Sequence, residues 1–300
     1  MSDASLWVGG ARPRTLGAGV IPVVVGTAVA PTTIPWRAAA ALAVGLGLQV
    51  GVNFANDYFD GVRGVDTSER LGPPRLTASG RASSRAVLAA AVLSLAVGAI
   101  AGLALALATA PVAILAVGAS ALVAALLYSG GPRPYAGLGL GELMVFLFFG
   151  LVAVGGSAYV QAEAVPAGAW WSGAAIGLLA VAILMANNLR DIPTDAASGK
   201  RTLAVRIGDR RTRRLYRATL IAAYAVVVVG VIVGIVGGRA VGLPQWALLA
   251  LASWPLVLRP MELIGSAEGR QLIPVLTGTA AVHAAFGGLL ALGFVLERAA

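Results

Sequence analysis

Nine apolar runs recur along the chain, most of them long enough for a helix to cross a lipid bilayer, which takes roughly 20 residues. They fall at about 15–31, 36–56, 85–109, 112–128, 138–160, 169–188, 217–236, 245–264 and 272–296. A chain with this pattern is an all-α polytopic membrane protein, and a helical bundle in lipid packs as one unit. We therefore expect a single transmembrane domain over 1–300. Composition agrees: 58% of residues are hydrophobic and 12% charged, where a soluble domain carries about a quarter charged. Pro22, Pro255 and Pro274 lie inside runs, so kinks are expected where neighbouring helices cover the freed carbonyls. No cysteine is present, which excludes disulfides, thiolate metal sites and Cys nucleophiles.

The net charge of +9 invites a nucleic-acid reading, but the placement of the charges argues for topology. When the runs alternate across the membrane, 19 of the 22 Lys and Arg residues fall on one side. Only Arg37, Arg239 and Arg298 fall on the other. Under the positive-inside rule this places the N-terminus and the connections at 57–84 and 189–216 in the cytoplasm, and the C-terminus outside. We expect membrane lipids as partners and no nucleic acid.

Two polar stretches interrupt the apolar pattern. "NDYFDGVRGVD" (56–66) follows the second run, and "NNLRDIPTDAASGKRT" (187–202) follows the sixth. Four runs separate them, so both belong to the same face. This suggests two related halves, about 11–130 and 138–264, plus a last helix at 272–296. Asn53, Asp57 and Asp60 are spaced i, i+4, i+7, and Asn187, Asp191 and Asp195 are spaced i, i+4, i+8. Each set is expected along one helical face. Stacked carboxylates repel, so two such faces need a cation between them. Oxygen ligands without His or Cys point to Mg²⁺, which prefers sites shared with substrate phosphates.

Cations lie beside the acids: Arg63, Arg70 and Arg75 after the first set, and Arg190, Lys200 and Arg201 around the second. Acids, bases and glycines at a membrane's edge suggest a diphosphate whose tail lies in lipid. The plainer alternative, solvated or salt-bridged loop acids, suits one loop better than two of matched spacing. An ion-coupled carrier also combines acids, Pro breaks and paired halves, but usually near the midplane. A CDP-alcohol phosphotransferase would carry a D-G-x-x-A-R motif within one helix, and this chain has none.

At these residues the chain resembles the UbiA superfamily of intramembrane prenyltransferases, within it the 1,4-dihydroxy-2-naphthoate branch. The first motif of that branch, N-x-x-N-D-Y-x-D-x-x-x-G-x-D, is met by Asn53, Asn56, Asp57, Tyr58, Asp60, Gly64 and Asp66. The second is met by Asn187, Asn188, Arg190, Asp191, Asp195 and "GKRTLAVRIG" (199–208). "ARPRTLGAGVIPVVVGTA" (11–28), "RLGPPRLTASG" (70–80) and "YSGGPRPYAGLGLGELMVFLFFG" (128–150) are similar to it as well. Many relatives carry Tyr-x-x-x-Lys near the end of the fourth run. Here Tyr128 is followed by Arg133, five residues on, which leaves open whether Arg133 takes that lysine's place.

The resemblance implies nine helices around a central cavity, with a cap over the metal site and a side opening to lipid. It implies transfer of a prenyl group from an allylic polyprenyl diphosphate to 1,4-dihydroxy-2-naphthoate, with loss of CO₂ and diphosphate. It also implies roles. Asp57, Asp60, Asp66, Asp191 and Asp195 would hold Mg²⁺, with Asn56 beside them in the catalytic set. Arg63, Arg70, Lys200, Arg201, Asn53, Asn187, Asn188, Tyr128, Arg133 and Arg14 would bind the substrates. No side-chain nucleophile is required, and His283, in the ninth run, is expected to pack or hydrogen-bond.

Overall fold

The computed structural model describes residues 3–64 and 75–300. Asp66 and Arg70 lie outside the described residues. Each apolar run is helical, and the helices are α1 (Asp3–Ala11), α2 (Gly17–Val29), α3 (Pro35–Val62), α4 (Ser84–Ala108), α5 (Pro111–Ser129), α6 (Gly141–Ala162), α7 (Ala167–Arg190), α8 (Ile192–Ala197), α9 (Leu203–Ile207), α10 (Asp209–Gly237), α11 (Trp254–Leu263) and α12 (Leu272–Ala299). Seven of them (α3, α4, α5, α6, α7, α10 and α12) are long and apolar enough to cross a membrane, and the chain is a multi-pass membrane protein.

The other two runs depart from a plain spanning helix. α2 has 13 residues, about 20 Å at 1.5 Å per residue, against a hydrocarbon core of about 30 Å. Pro22 lies within it. The eighth run begins as a 3₁₀ stretch, Gln245–Ser253, and turns α-helical at Trp254. Pro255 stands in the first turn of α11 and Pro274 in the first turn of α12. The first turn is where an α-helix best tolerates a missing N–H.

The helix ends sort into two groups. At one end Arg37, at the start of α3, donates to Ala108 O at the end of α4 and Val160 O near the end of α6. Arg298 reaches Ala30 O beyond α2, and Arg239 pairs with Glu297. All three minority arginines therefore gather at one end. At the other end Asn53 donates to Ala11 O and Arg63 to Ser129 O. Arg213, in the first turns of α10, donates to Ala267 O beyond α11.

α7 is the central helix. In its most apolar window 67% of residues are buried, against 17% in α5. It approaches α6 through glycines: a Cβ on Gly150 would sit 2.5 Å from Gly173 O, and one on Gly177 2.9 Å from Phe146 O. Such small-residue contacts let helix backbones close on each other in lipid. At that contact Phe146–Val152 forms a π-helical stretch. A cavity of about 440 Å³ opens between α2, α3 and α12, lined by Val23, Thr27, Leu42, Ala291 and Arg298 among others. It belongs to the arginine-capped end, remote from the aspartates.

Candidate active site

The second half of α3 is apolar on most faces and carries one buried polar stripe: Gln49, Asn53, Asn56, Asp57 and Asp60. Burying two carboxylates at a helix end is costly unless partners compensate, and the structure shows them. Asp57, 2% exposed, accepts the backbone amides of Leu76 (2.8 Å) and Thr77 (2.9 Å), one on each oxygen. It thereby pins the 75–80 loop over the helix end. Asp60, 3% exposed, accepts Lys200 Nζ at 2.9 Å and has Arg75 3.9 Å away. Asn53 Nδ2 donates to Ala11 O at 2.9 Å and lies 3.3 Å from Thr15 Oγ1. It holds the turn in which Arg12 takes a left-handed backbone (φ 54°). The Asn56 amide oxygen is buried and has no hydrogen-bond partner among the described residues.

The second acidic set does not lie on one continuous helical face. α7 ends at Arg190, Asp191 adopts φ −92° and ψ 3°, and α8 starts at Ile192. Pro193 is the physical reason: it has no amide to continue the ladder, and its ring clashes with the carbonyl four residues back. Asp195 therefore rides the short α8, though its amide still reaches Asp191 O at 2.8 Å. Asp191 is gripped from within its own turn. Arg190 Nε and Nη2 donate to its two oxygens, both at 2.7 Å, and Nη2 also reaches Asn187 Oδ1 at 2.8 Å. This is the two-pronged guanidinium–carboxylate geometry that lysine cannot reproduce.

The two sets meet through Lys200, the one lysine of the chain. It follows α8 and pairs with Asp60, 140 positions earlier. The Lys200 loop is fixed in turn by Arg201 N, which donates to Gly137 O at 3.1 Å.

The other expected ligand-binding residues divide. Arg63 donates to the carbonyls of Ser129 and Gly131 and lies over the Phe59 ring, joining the ends of α3 and α5. The side chains of Arg14, Arg133 and Arg201 are exposed, and Lys200 is the cation on Asp60. Tyr128 packs edge-to-face on Tyr135 at 5.5 Å.

Two residues escaped the sequence reading. Tyr135 donates to Ala124 O at 2.9 Å, and burial pushes its phenol up to about 12. Glu142 is buried in the first turn of α6 and accepts Asn188 Nδ2 at 2.9 Å. The signal for Glu142 was present: it is a lone acid in an otherwise apolar run.

Among the described residues no three His, Asp or Glu side chains cluster closely enough to hold a metal unaided. The donors nevertheless suit a hard cation completed by substrate oxygens, as Mg²⁺ prefers. They are carboxylates, with the orphaned Asn56 oxygen beside them. Asp57 retains lone pairs beyond its two amide bonds.

A family model described as "UbiA prenyltransferase family" matches residues 19–262. The chain is 48% identical to 1,4-dihydroxy-2-naphthoate octaprenyltransferase of Mycobacterium tuberculosis over 283 residues, 93% of each chain. It is 37% identical to the Escherichia coli protein of the same name over 229 residues, 74% of each. Among solved structures it resembles a UbiA homolog from Aeropyrum pernix K1, with a TM-score of 0.69 and 19% identity, covering 94% of this chain and 97% of that one. A second resemblance, with a TM-score of 0.59 and 16% identity, covers 95% of this chain and 99% of a UbiA homolog from Archaeoglobus fulgidus bound to DMAPP and Mg²⁺. A membrane bundle of this fold, with its two Asn–Asp motifs joined at one end and a family match over most of its length, belongs to the UbiA prenyltransferase family.

Proposed function

We propose that this chain transfers a polyprenyl group from an allylic polyprenyl diphosphate to 1,4-dihydroxy-2-naphthoate, releasing diphosphate and CO₂, for menaquinone synthesis. The Asp60–Lys200 contact carries the reading, because it makes one site of two motifs far apart in sequence. The relatives' names supply the acceptor.

Asp60, Asp191 and Asp195, with Asn56 and Asp57 beside them, are the residues to hold Mg²⁺, and Asp66 belongs to the same motif. The bound ion would supply charge neutralisation on the departing diphosphate. Lys200 has three hydrogens and spends one on Asp60, which leaves two for diphosphate oxygens. Arg75 adds fixed positive charge beside it. Asp57 keeps the 75–80 loop folded over the head of the substrate and so limits water, which would otherwise capture the allylic cation. The prenyl tail follows the apolar bundle into lipid. The electron-rich ring attacks the cation carbon, and the ring carboxylate leaves as CO₂, its bonding electrons restoring aromaticity.

We also infer that the acidic end faces the cytoplasm. The charge imbalance supports this, and a reporter fused after Ala300 should read as external; a cytoplasmic reading would reverse the assignment.

Purified protein with a labelled polyprenyl diphosphate tests the acceptor. The naphthoate offers one more ring to bury than 4-hydroxybenzoate, worth roughly 1–2 kcal/mol, or up to about thirtyfold. Turnover with release of CO₂ is expected for 1,4-dihydroxy-2-naphthoate, with little product from 4-hydroxybenzoate. Equal use of 4-hydroxybenzoate would leave the prenyltransferase standing and overturn the naphthoate assignment.

A further inference from the structure

Glu142 has no part in the diphosphate chemistry, yet its placement is costly. It is buried, and its Oε2 has no hydrogen-bond partner among the described residues. No cation among them pairs with it either, in contrast to Asp60 and Asp191. A buried carboxyl oxygen left without a donor costs more than the apolar atom that might replace it. In a membrane helix such a group is expected to serve a ligand.

Its surroundings indicate which ligand. The partner of Glu142 is Asn188. Asn188 lies three residues before Asp191 on α7, about 4.5 Å deeper into the bundle at 1.5 Å per residue. On the other side the ring edge of Tyr128 lies beside Gly141, the residue before Glu142. Glu142 therefore sits immediately below the diphosphate end, where the acceptor ring must meet the allylic carbon. Because it is an acid, it would repel a diphosphate or a substrate carboxylate. It suits a neutral donor, and the acceptor carries two, its ring hydroxyls.

We propose that Glu142, held in place by Asn188, is an acceptor-binding residue whose free oxygen takes the hydrogen bond of one ring hydroxyl. It thereby orients the ring, with the hydroxyl oxygen's electron density directed into the ring that attacks. This rests on the naphthoate reading above, and failure of the wild type to use 1,4-dihydroxy-2-naphthoate would count against that reading rather than this one.

The test pairs substrate analogues with variants. 1-Hydroxy-2-naphthoate and 4-hydroxy-2-naphthoate are measured as competitive inhibitors against 1,4-dihydroxy-2-naphthoate, in wild type, Glu142→Gln and Glu142→Ala. In the wild type, removal of the contacted hydroxyl should weaken binding by roughly ten- to a hundredfold, as for a hydrogen bond to a charged group. Removal of the other should matter little. That contrast should shrink in Glu142→Gln, which keeps the size of the side chain, and vanish in Glu142→Ala. KM for the prenyl diphosphate should stay within about twofold in Glu142→Gln. A contrast that persists unchanged in Glu142→Gln, or a variant whose defect falls on prenyl diphosphate KM alone, would overturn the proposal. A general packing defect would raise both KM values together and leave the contrast intact, which also overturns it.

Discussion

The first motif rides one unbroken helix, whereas the second straddles a break. On α3, Asn53, Asn56, Asp57 and Asp60 form a buried stripe whose members reach outward to other segments: Asn53 to the N-terminal turn, Asp57 to the 75–80 loop, and Asp60 to Lys200. At α7, Asn187, Arg190 and Asp191 bond one another within a single turn, and beyond the break before Pro193 Lys200 reaches Asp60. Similar letters thus do different work. The first motif organises the cap, while the second braces its own turn, ties Asn188 to Glu142 on α6 and sends one lysine across. On the proposed mechanism Asp60 and Asp191 carry equal chemical weight, while Asp57 also pins a separate loop through two backbone amides.

The largest expected effects test the equality. Asp60→Ala and Asp191→Ala should each lower turnover by at least about a thousandfold, since each removes a group that supports charge separation worth several kcal/mol. EDTA should do the same to the wild type. Turnover that survives chelation, or near-normal turnover in one variant and none in the other, would break the symmetry between the motifs.

Smaller effects test the difference. Asn at position 57 can accept one of the two amide hydrogens that Asp57 now takes. Asp57→Asn should therefore lower the thermal stability of the detergent-solubilised protein and cost roughly ten- to a hundredfold in kcat/KM, as for loss of a hydrogen bond to a charged group. Loss of all turnover with an unchanged Tm would make Asp57 a ligand and nothing more. Lys200→Ala should be milder, about tenfold and mostly in the KM of prenyl diphosphate, because Arg75 stays beside Asp60. A change confined to the acceptor's KM would contradict its place on the diphosphate.

Much of this was legible in the residues alone. Hydropathy located each membrane-length helix, because the bilayer imposes length and apolarity on it; the short α1, α8 and α9 lie outside the apolar runs. The two Asp motifs and their shared face followed from spacing and parity. Three things were not legible. The break at Asp191 is masked because i, i+4, i+8 spacing suits a helix, although Pro193 opposes it. The loop-holding role of Asp57 is hidden because its amide partners, Leu76 and Thr77, lie in a loop whose fold no periodicity reveals. Glu142 disappeared into the apolar average of its segment, although a single acid there is more informative than its neighbours. The arginines divided in a way composition cannot show: Arg63 and Arg190 hold structure, whereas Arg14, Arg133 and Arg201 are exposed.

The central claim is that two motifs form one divalent-metal site completed by diphosphate. Mn²⁺ favours the same six-oxygen environment as Mg²⁺, and it reports its own binding by electron paramagnetic resonance. Mn²⁺ should therefore be titrated into the purified protein with a non-ionisable prenyl thiodiphosphate. The account predicts tight binding in the wild type that depends on the diphosphate analogue and is lost in Asp60→Asn and in Asp191→Asn alike. Mn²⁺ binding that persists at wild-type affinity in either variant would contradict it.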